Sequence, residues 1–494
     1  MLDYTTFTGS AAYNYCEGVA IKGLLTVSDR LKYTEGRNSR PHLPKRYRIK
    51  KERNMMKNIE LAKGYRDYIV KMRRYFHENP ELSNREDSTI ATISDELTKM
   101  GIEHEIIPHG GLLATIKGPA EKDTGRKVLL RADVDALPVQ ESDTVLGGLP
   151  RTVKSKNDGV MHACGHDGHT AMLLGAAKVL LDKKDEICGT VYLCFERGEE
   201  ATGNAVFIYK YLYDKGIVPD SVYGTHLYSG LESGKLLIND TNMMSGGVMF
   251  DVTLEGRGGH GSRPDQSVSP IDAFRAIYQG LEGIRLRKVD PYDTLTYSVG
   301  FLHSGLQGNV IPDDCRFGGT ARFFNAKGAG TVFYTEFKKL VERTADAYGV
   351  TAKFNMLSLP AEGTINDPTC ARFAREVIAE DLGNDDVITG EPWMASESFS
   401  QYLQQWPGVF AFLGVKNDAK GVGAAHHNAF FDLDEDVLYK GSAAAVTYAL
   451  KFLTDGPKLE RKRSYPELYA AVARIGRLEM LRPTFGDLVD TLKP

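Results

Sequence analysis

A change of rhythm partway along the chain constrains the fold more than any other feature. From Tyr65 to His77 (YRDYIVKMRRYFH), Tyr65, Tyr68, Ile69, Met72, Tyr75 and Phe76 fall on one helical stripe, stopped by Asn79-Pro80. Ser88 to Met100 reads as a second helix, closed by Gly101. Short β-branched runs follow at Leu113–Ile116, Val128–Asp133 and Val191–Phe195, with a helix over Thr170–Leu181 between the last two. Strands separated by helices need crossover connections, which predicts an α/β fold with a mixed, mostly parallel sheet and helices on both faces. The order then changes. Met249–Glu255 reads as a strand, Pro270–Arg285 as a helix, and Thr294–Leu302 and Cys315–Phe323 as strands. Gly330–Tyr348 is a helix and Val350–Leu357 a last strand, which completes a ferredoxin-like βαββαβ unit. The first rhythm resumes with Asp367–Glu380, Val409–Gly414 and Glu435–Leu453. We therefore expect a larger domain over 58–246 and 359–454, interrupted by a smaller one over 247–358, with a cleft between them. Residues 1–57 and 455–494 flank this frame; Pro466–Leu481 in the tail reads as an amphipathic helix.

Composition narrows the function classes. Of 494 residues 42% are hydrophobic, enough for a packed core in each domain and too many for a mainly disordered chain. No run of eighteen apolar residues predicts a membrane span, and the first residues lack the basic-then-apolar order of a secretory signal. Six cysteines in so long a chain do not make a disulfide framework and fit a reducing cytoplasm. The net charge of −4 conceals a basic block. Ten Lys/Arg against Glu35 and Glu52 between Arg30 and Arg53 give about +8, which leaves the remainder near −12. With poor apolar periodicity and two prolines, the block reads as a solvated tail or linker, or as residues upstream of a start at Met55 or Met56. A nucleic-acid binder would have to rely on this block alone, without a groove-reading motif.

Chemistry concentrates in Met161-His-Ala-Cys-Gly-His-Asp-Gly-His169, just before a helix. Cys164 and His166 flank one glycine, which lets a tight turn aim a thiolate and an imidazole at one point. Both suit a borderline divalent metal. Glu199 and Glu200 follow a buried strand; one can bind metal while its neighbour takes a proton from a bound water. His226 and His426 stand at the ends of other elements. Each feature alone has a plainer reading, as a helix-start loop, surface charge or a core histidine. Their joint presence along one sheet carries the argument.

The chain resembles the amidohydrolase branch of the aminoacylase/carboxypeptidase metallopeptidases, which includes hippurate, auxin-conjugate and N-acetyl-diaminopimelate hydrolases. The motifs that carry the resemblance are Leu129-Leu-Arg-Ala-Asp-Val-Asp-Ala-Leu-Pro138, His162-Ala-Cys-Gly-His-Asp-Gly-His169, Gly256-Arg-Gly-Gly-His-Gly261, Asn309-Val-Ile-Pro-Asp313 and Ser396-Glu-Ser-Phe-Ser400, within a match from about Tyr65 to Leu453. The resemblance implies two divalent ions (Zn, Mn, Co or Ni) held by Cys164, His166, Glu200, His226 and His426, with His427 as the rival of His426. It implies Glu199 as general base and a lid domain through which subunits associate. On that lid it implies His260 polarising the scissile carbonyl and Asn309 and Arg322 near the substrate carboxylate. Asp133, Asp135 and His162 are candidates for orienting the ligands. The implied reaction is hydrolysis of an N-acyl amino acid or dipeptide-like amide. A dipeptidase or carboxypeptidase, or a non-catalytic metal-binding relative, is the alternative. The chain departs from the family pattern in having Glu196-Arg197-Gly198 for Gln-Pro-Ala, Ser398 for the aspartate of Ser-Glu-Asp-Phe, and Arg263 in the lid.

Overall fold

The computed structural model describes residues 56–200, 204–459, 467 and 477–493. The basic block and most of the expected tail helix lie outside the described residues. Helices α1 (Asn58–Gly64), α2 (Arg66–Glu78) and α3 (Asp87–Met100) precede strands β1 (Glu103–Ile107), β2 (Gly111–Lys117) and β3 (Lys127–Asp133). Then come α4 (His166–Asp182), β4 (Thr190–Glu196), α5 (Ala205–Asp214), β5 (Ser221–Glu232), β6 (Leu236–Leu237) and β7 (Asn242–Met244). The inserted elements are β8 (Gly246–Glu255), β9 (Gly259–His260), α6 (Pro270–Arg287), β10 (Leu295–His303), β11 (Val310–Ile311), β12 (Asp314–Phe323), α7 (Thr331–Tyr348) and β13 (Thr351–Leu357). The chain returns through β14 (Thr364–Ile365), α8 (Pro368–Leu382), β15 (Val387–Ile388), α9 (Phe399–Gln405), β16 (Gly408–Lys416) and α10 (Leu438–Asp455), and α11 (Arg477–Phe485) lies in the tail.

The large sheet has eight strands in the order β1-β2-β4-β3-β5-β16-β6-β15. Its centre, β4-β3-β5-β16, is parallel, while β1 and β2 are antiparallel additions at one edge. Every residue of β4 is buried, and so is β3 from Val128 onward. The sheet has an apolar core on each face. Residues of α2, α3, α4, α8 and α10 fill one; residues of α5, α9 and α11 fill the other. That double cover is why the central strands read as continuous apolar runs. β3 connects to β4 on one side and β5 leads to β16 on the other, so the chain parts between β3 and β5. The crevice at the carboxyl ends of these strands is where open α/β sheets place their ligands.

The inserted unit is an antiparallel sheet of order β10-β12-β8-β13 with the ferredoxin-like βαββαβ succession. Its core is aromatic: Phe250 lies 4.6 Å from Phe337, and Phe333 stacks on Phe337 at 5.5 Å, ring centre to ring centre. Among the described residues no helix is long and apolar enough to cross a membrane.

Two local expectations need correction. Helix α4 starts at His166 rather than Thr170, because its first turn is built from polar residues that hide the apolar period. Gly165 enters it with φ +92°, and the Asp167 carboxylate accepts the Gly168 N–H at 2.8 Å. His226 lies within the twelve-residue β5 rather than at its end.

The start of α4 is anchored from α2. Arg73 is fully buried and pairs with Asp167 (3.0 Å), Asp432 (2.8 Å) and Glu435 (3.0 Å), while His77 bridges Asp167 and Glu141, both at 2.7 Å. Burial alone would raise the Asp167 pKa, but Arg73 and His77 hold it well below the usual carboxylate range. Removing the guanidinium leaves buried carboxylates without their cation. We expect Arg73→Ala to lower unfolding stability by about 3–5 kcal/mol. Denaturant titration checks this, and a loss of under about 1 kcal/mol would contradict it.

Candidate metal centre

The first turn of α4, the segment after β4, the middle of β5 and the loop before α10 converge on one point. Cys164 Sγ lies 3.6 Å from His226 Nε2 and 3.7 Å from His426 Nδ1. The ligand atoms of Cys164, His166 and His226 all lie within 4.8 Å of one another, and so do those of Cys164, Glu200 and His427. Two triads therefore share one sulfur. A third group joins His166 to Glu199 and Glu200, and a fourth joins it to Asp133 and His169.

Hydrogen bonds around the rings fix which nitrogen is free. Asp135 Oδ1 accepts from His166 Nδ1 at 3.0 Å, and the Leu227 carbonyl accepts from His226 Nδ1 at 2.6 Å. In each ring the Nε2 lone pair is thereby turned toward the cluster, as metal-ligating histidines require. His166 Nε2 and Glu200 Oε1 are buried without a hydrogen-bond partner. Buried polar atoms are seldom left this way, and a cation between them would satisfy both. Burial, then the charge of Glu200, pushes the Cys164 thiol well above its usual range; a divalent ion at the sulfur would reverse that. Burial, then His169 and His426, keeps His226 neutral. The residues present thus fit divalent ions.

His426 and His427 differ in kind. Ser229 donates its backbone N–H to His426 Nε2 at 3.2 Å, so the proton of that ring sits on Nδ1, facing the Cys164 sulfur. The ring also packs on Trp393 (centroids 4.7 Å) and Phe431 (4.8 Å). His427, at φ +60°, brings Nε2 to 3.3 Å from Glu200 Oε1. This geometry turns His426 Nδ1 toward the sulfur and groups His427, its rival, with Cys164 and Glu200.

β4 ends three residues before Glu199, so strand alternation does not set the two carboxylates apart. Loop contacts do: the Ser398 N–H donates to Glu199 Oε1 (2.9 Å), and the Glu200 N–H donates to Asp135 Oδ2 (3.0 Å). Burial, then Glu397 and Glu200, raises the Glu199 pKa well above the usual range. Asp133 accepts from His169 Nδ1 (2.5 Å) and Arg131 Nη1 (2.7 Å), and His169 Nε2 accepts the Leu227 N–H. His162 is buried with neither ring nitrogen hydrogen-bonded and is pushed down to about 4 by burial, so it orients no ligand through a hydrogen bond.

On the inserted unit, His260 and Asn309 come together in the β9–β11 ribbon, where His260 pairs with Val310 and the Gly261 N–H donates to the Asn309 carbonyl at 2.8 Å. Both are exposed. Arg322 is half-buried in β12 opposite Gly247, with its pKa lowered by burial. Among the described residues none of the three bonds to the cluster. Arg263 pairs with exposed Asp265 through two contacts, 2.9 and 2.7 Å. Arg197 turns away to Glu86 (2.8 Å) and Asp87 (2.8 Å). Arg131, His169 and Glu397 stand inside the sequence motifs without a role being legible there. The only signal for Arg131 was a charge placed between apolar residues of a buried strand.

Fold and site are together those of metal-dependent hydrolases. The family model of peptidase family M20/M25/M40 matches residues 129–451, and the chain belongs to that family. It is 35% identical to thermostable carboxypeptidase 2 of Saccharolobus solfataricus, over 82% of this chain and 98% of the relative. It is 32% identical to IAA-amino acid hydrolase ILR1-like 4 of Arabidopsis thaliana, over 81% of this chain and 89% of the relative. Among solved structures, the Bacillus subtilis YXEP protein, a dinuclear metal binding peptidase from the M20 family, superposes with a TM-score of 0.64 at 29% identity, covering 79% of this chain and 99% of that one.

The shared sulfur has a measurable consequence. We expect Cys164→Ala to lose both divalent ions, His226→Ala and His427→Ala to lose about one each, and His426→Ala to keep both, with metal content read by elemental analysis. Full metal in His427→Ala would contradict the ligand set.

Proposed function

We propose that this chain is an amidohydrolase with two divalent ions that cleaves the amide of an N-acyl amino acid. The ligands in this reading are Cys164, His166, Glu200, His226 and His427. The observation that carries it is the pair of triads joined at Cys164 beside a carboxylate, Glu199, that is held by a backbone N–H. When bound, the ions lower the pKa of the attacking water and stabilise negative charge on the carbonyl oxygen. Glu199, with Oε1 fixed by Ser398, takes the proton of that water on its other oxygen and later delivers it to the leaving amine. Domain 247–358 acts as the lid. Its His260 approaches the carbonyl oxygen, from the same or a partner subunit of a homo-oligomer, while Asn309 and Arg322 receive the substrate carboxylate. The half-buried Arg322, with no counter-ion among the described residues, supports that last assignment. The five described cysteines are all free, which supports a reducing cytoplasm as the site of action.

Similarity to a carboxypeptidase favours a second reading, a peptidase acting on dipeptide-like substrates. A panel of N-acetyl, N-benzoyl and dipeptide substrates, assayed after chelation and metal add-back, separates the two. We expect hydrolysis of N-acyl amino acids that is abolished by chelation and restored by metal; turnover confined to dipeptides would favour the peptidase. Glu199→Gln should keep both ions and lose at least about 10³-fold in kcat. A rate near that of the unaltered enzyme would reject Glu199 as the base.

A further inference from the structure

Two of the departures from the resembled family, Glu196 for glutamine and Ser398 for aspartate, are 202 residues apart in sequence and in contact in space. Ser398 Oγ donates to Glu196 Oε1 at 2.7 Å and accepts from Arg131 Nη2 at 2.7 Å. Arg131 Nε in turn reaches Glu196 Oε2 at 2.8 Å, and all three side chains are buried. The same Ser398 supplies the backbone N–H that holds Glu199.

We propose that Glu196 and Ser398 are a reciprocal pair: one negative charge has moved from the loop before α9 to the end of β4, and the pair positions the base. Around Arg131 three carboxylates already converge, Asp133 (2.7 Å), Glu196 (2.8 Å) and Glu397 (3.1 Å). A fourth at position 398 would face Glu196 at hydrogen-bond distance with no proton between them, a like-charge contact in a dry site. A hydroxyl donates to one carboxylate while accepting from the guanidinium; an ionised aspartate has no proton to donate, and alanine can do neither. Glutamine at 196 would reverse the need. Its amide can donate to an aspartate at 398, and the charge around Arg131 stays the same. Either combination ties the 396–398 loop to β4, and that tie sets where the Ser398 N–H points. Glu196 and Ser398 touch neither substrate nor the reacting atoms, so they are positioning residues.

This inference rests on the amidohydrolase reading, and a double-mutant cycle tests the two separately. The variants are Glu196→Gln, Ser398→Asp and the pair combined, with Ser398→Ala as a milder variant that keeps the loop uncharged. Thermal melting of the metal-loaded proteins reads the reciprocity without turnover: each single change lowers the midpoint and the combination recovers it. Turnover, measured far below the midpoints, reads the positioning. Each single change should cut kcat about tenfold or more with KM within about twofold and both ions retained, Ser398→Ala should fall between, and the combination should return to within about threefold. Losses that multiply in the combined variant, in melting and in kcat, would overturn the pairing. Recovery of melting without recovery of kcat, or a change confined to KM, would overturn the positioning role. If the unaltered enzyme hydrolyses no member of the substrate panel, the amidohydrolase reading fails, and the melting cycle still decides the pairing.

Discussion

The rest of the structure depends on how a crowd of carboxylates is kept out of water. Asp133, Asp135, Glu196 and Glu397 are buried, Glu199 and Glu200 are half-buried, and among the described residues the only guanidinium that pairs with any of them is Arg131. Taking one ionised carboxylate from water costs several kcal/mol unless it is paired and hydrogen-bonded. Arg131 meets that cost on the sheet side of the cluster, where it ties the ends of β3 and β4 to the loop before α9. Glu397 is left pushed up to about 7, by burial first and by Asp133 next, against the opposing pull of Arg131. Facing the cleft, the carboxylates Asp135 and Glu200 and the Cys164 sulfur have imidazoles beside them and, among the described residues, no lysine or arginine paired with them. Divalent ions complete the balance there, which explains why the orphaned atoms His166 Nε2 and Glu200 Oε1 point inward.

This division of labour follows from the topology. The parallel centre of the sheet aligns the carboxyl ends of β3 and β4 on one edge, and the switch between β3 and β5 opens the crevice there. Helix α4 then enters with Gly165 in a left-handed conformation, so that residues 164 and 166 face the same crevice. Arg73 fixes the first turn of α4 from behind through Asp167. The candidate ligands thus stand at the start of α4, in the loop after β4, within β5 and in the loop before α10, and His260 and Asn309 stand at an exposed two-stranded ribbon.

Much of this was legible in the sequence. The two rhythms announced both sheets, and the inserted βαββαβ unit appears with its strands in the expected order. The cluster of Cys164, His166, Glu200 and His226 could be read because the four occur together along one sheet, although each alone has a plainer reading. Other parts were hidden for physical reasons. His426 and His427 are neighbours on a turn, and only the positive φ of His427 and the Ser229 hydrogen bond decide which ring faces Glu200. The start of α4 lacks apolar period because its residues serve the site. The contact between Glu196 and Ser398 joins segments that no local pattern connects. In each case a tertiary contact decided what spacing could not.

The claim that these observations converge on is two divalent ions joined by one sulfur. A crystal structure of the metal-loaded protein, with anomalous diffraction collected at the metal edge, tests it most directly. The account predicts two anomalous peaks, both bonded to Cys164 Sγ, one reaching His166 and His226 and the other Glu200 and His427. A single peak, or two peaks with the sulfur bonded to neither, would contradict it.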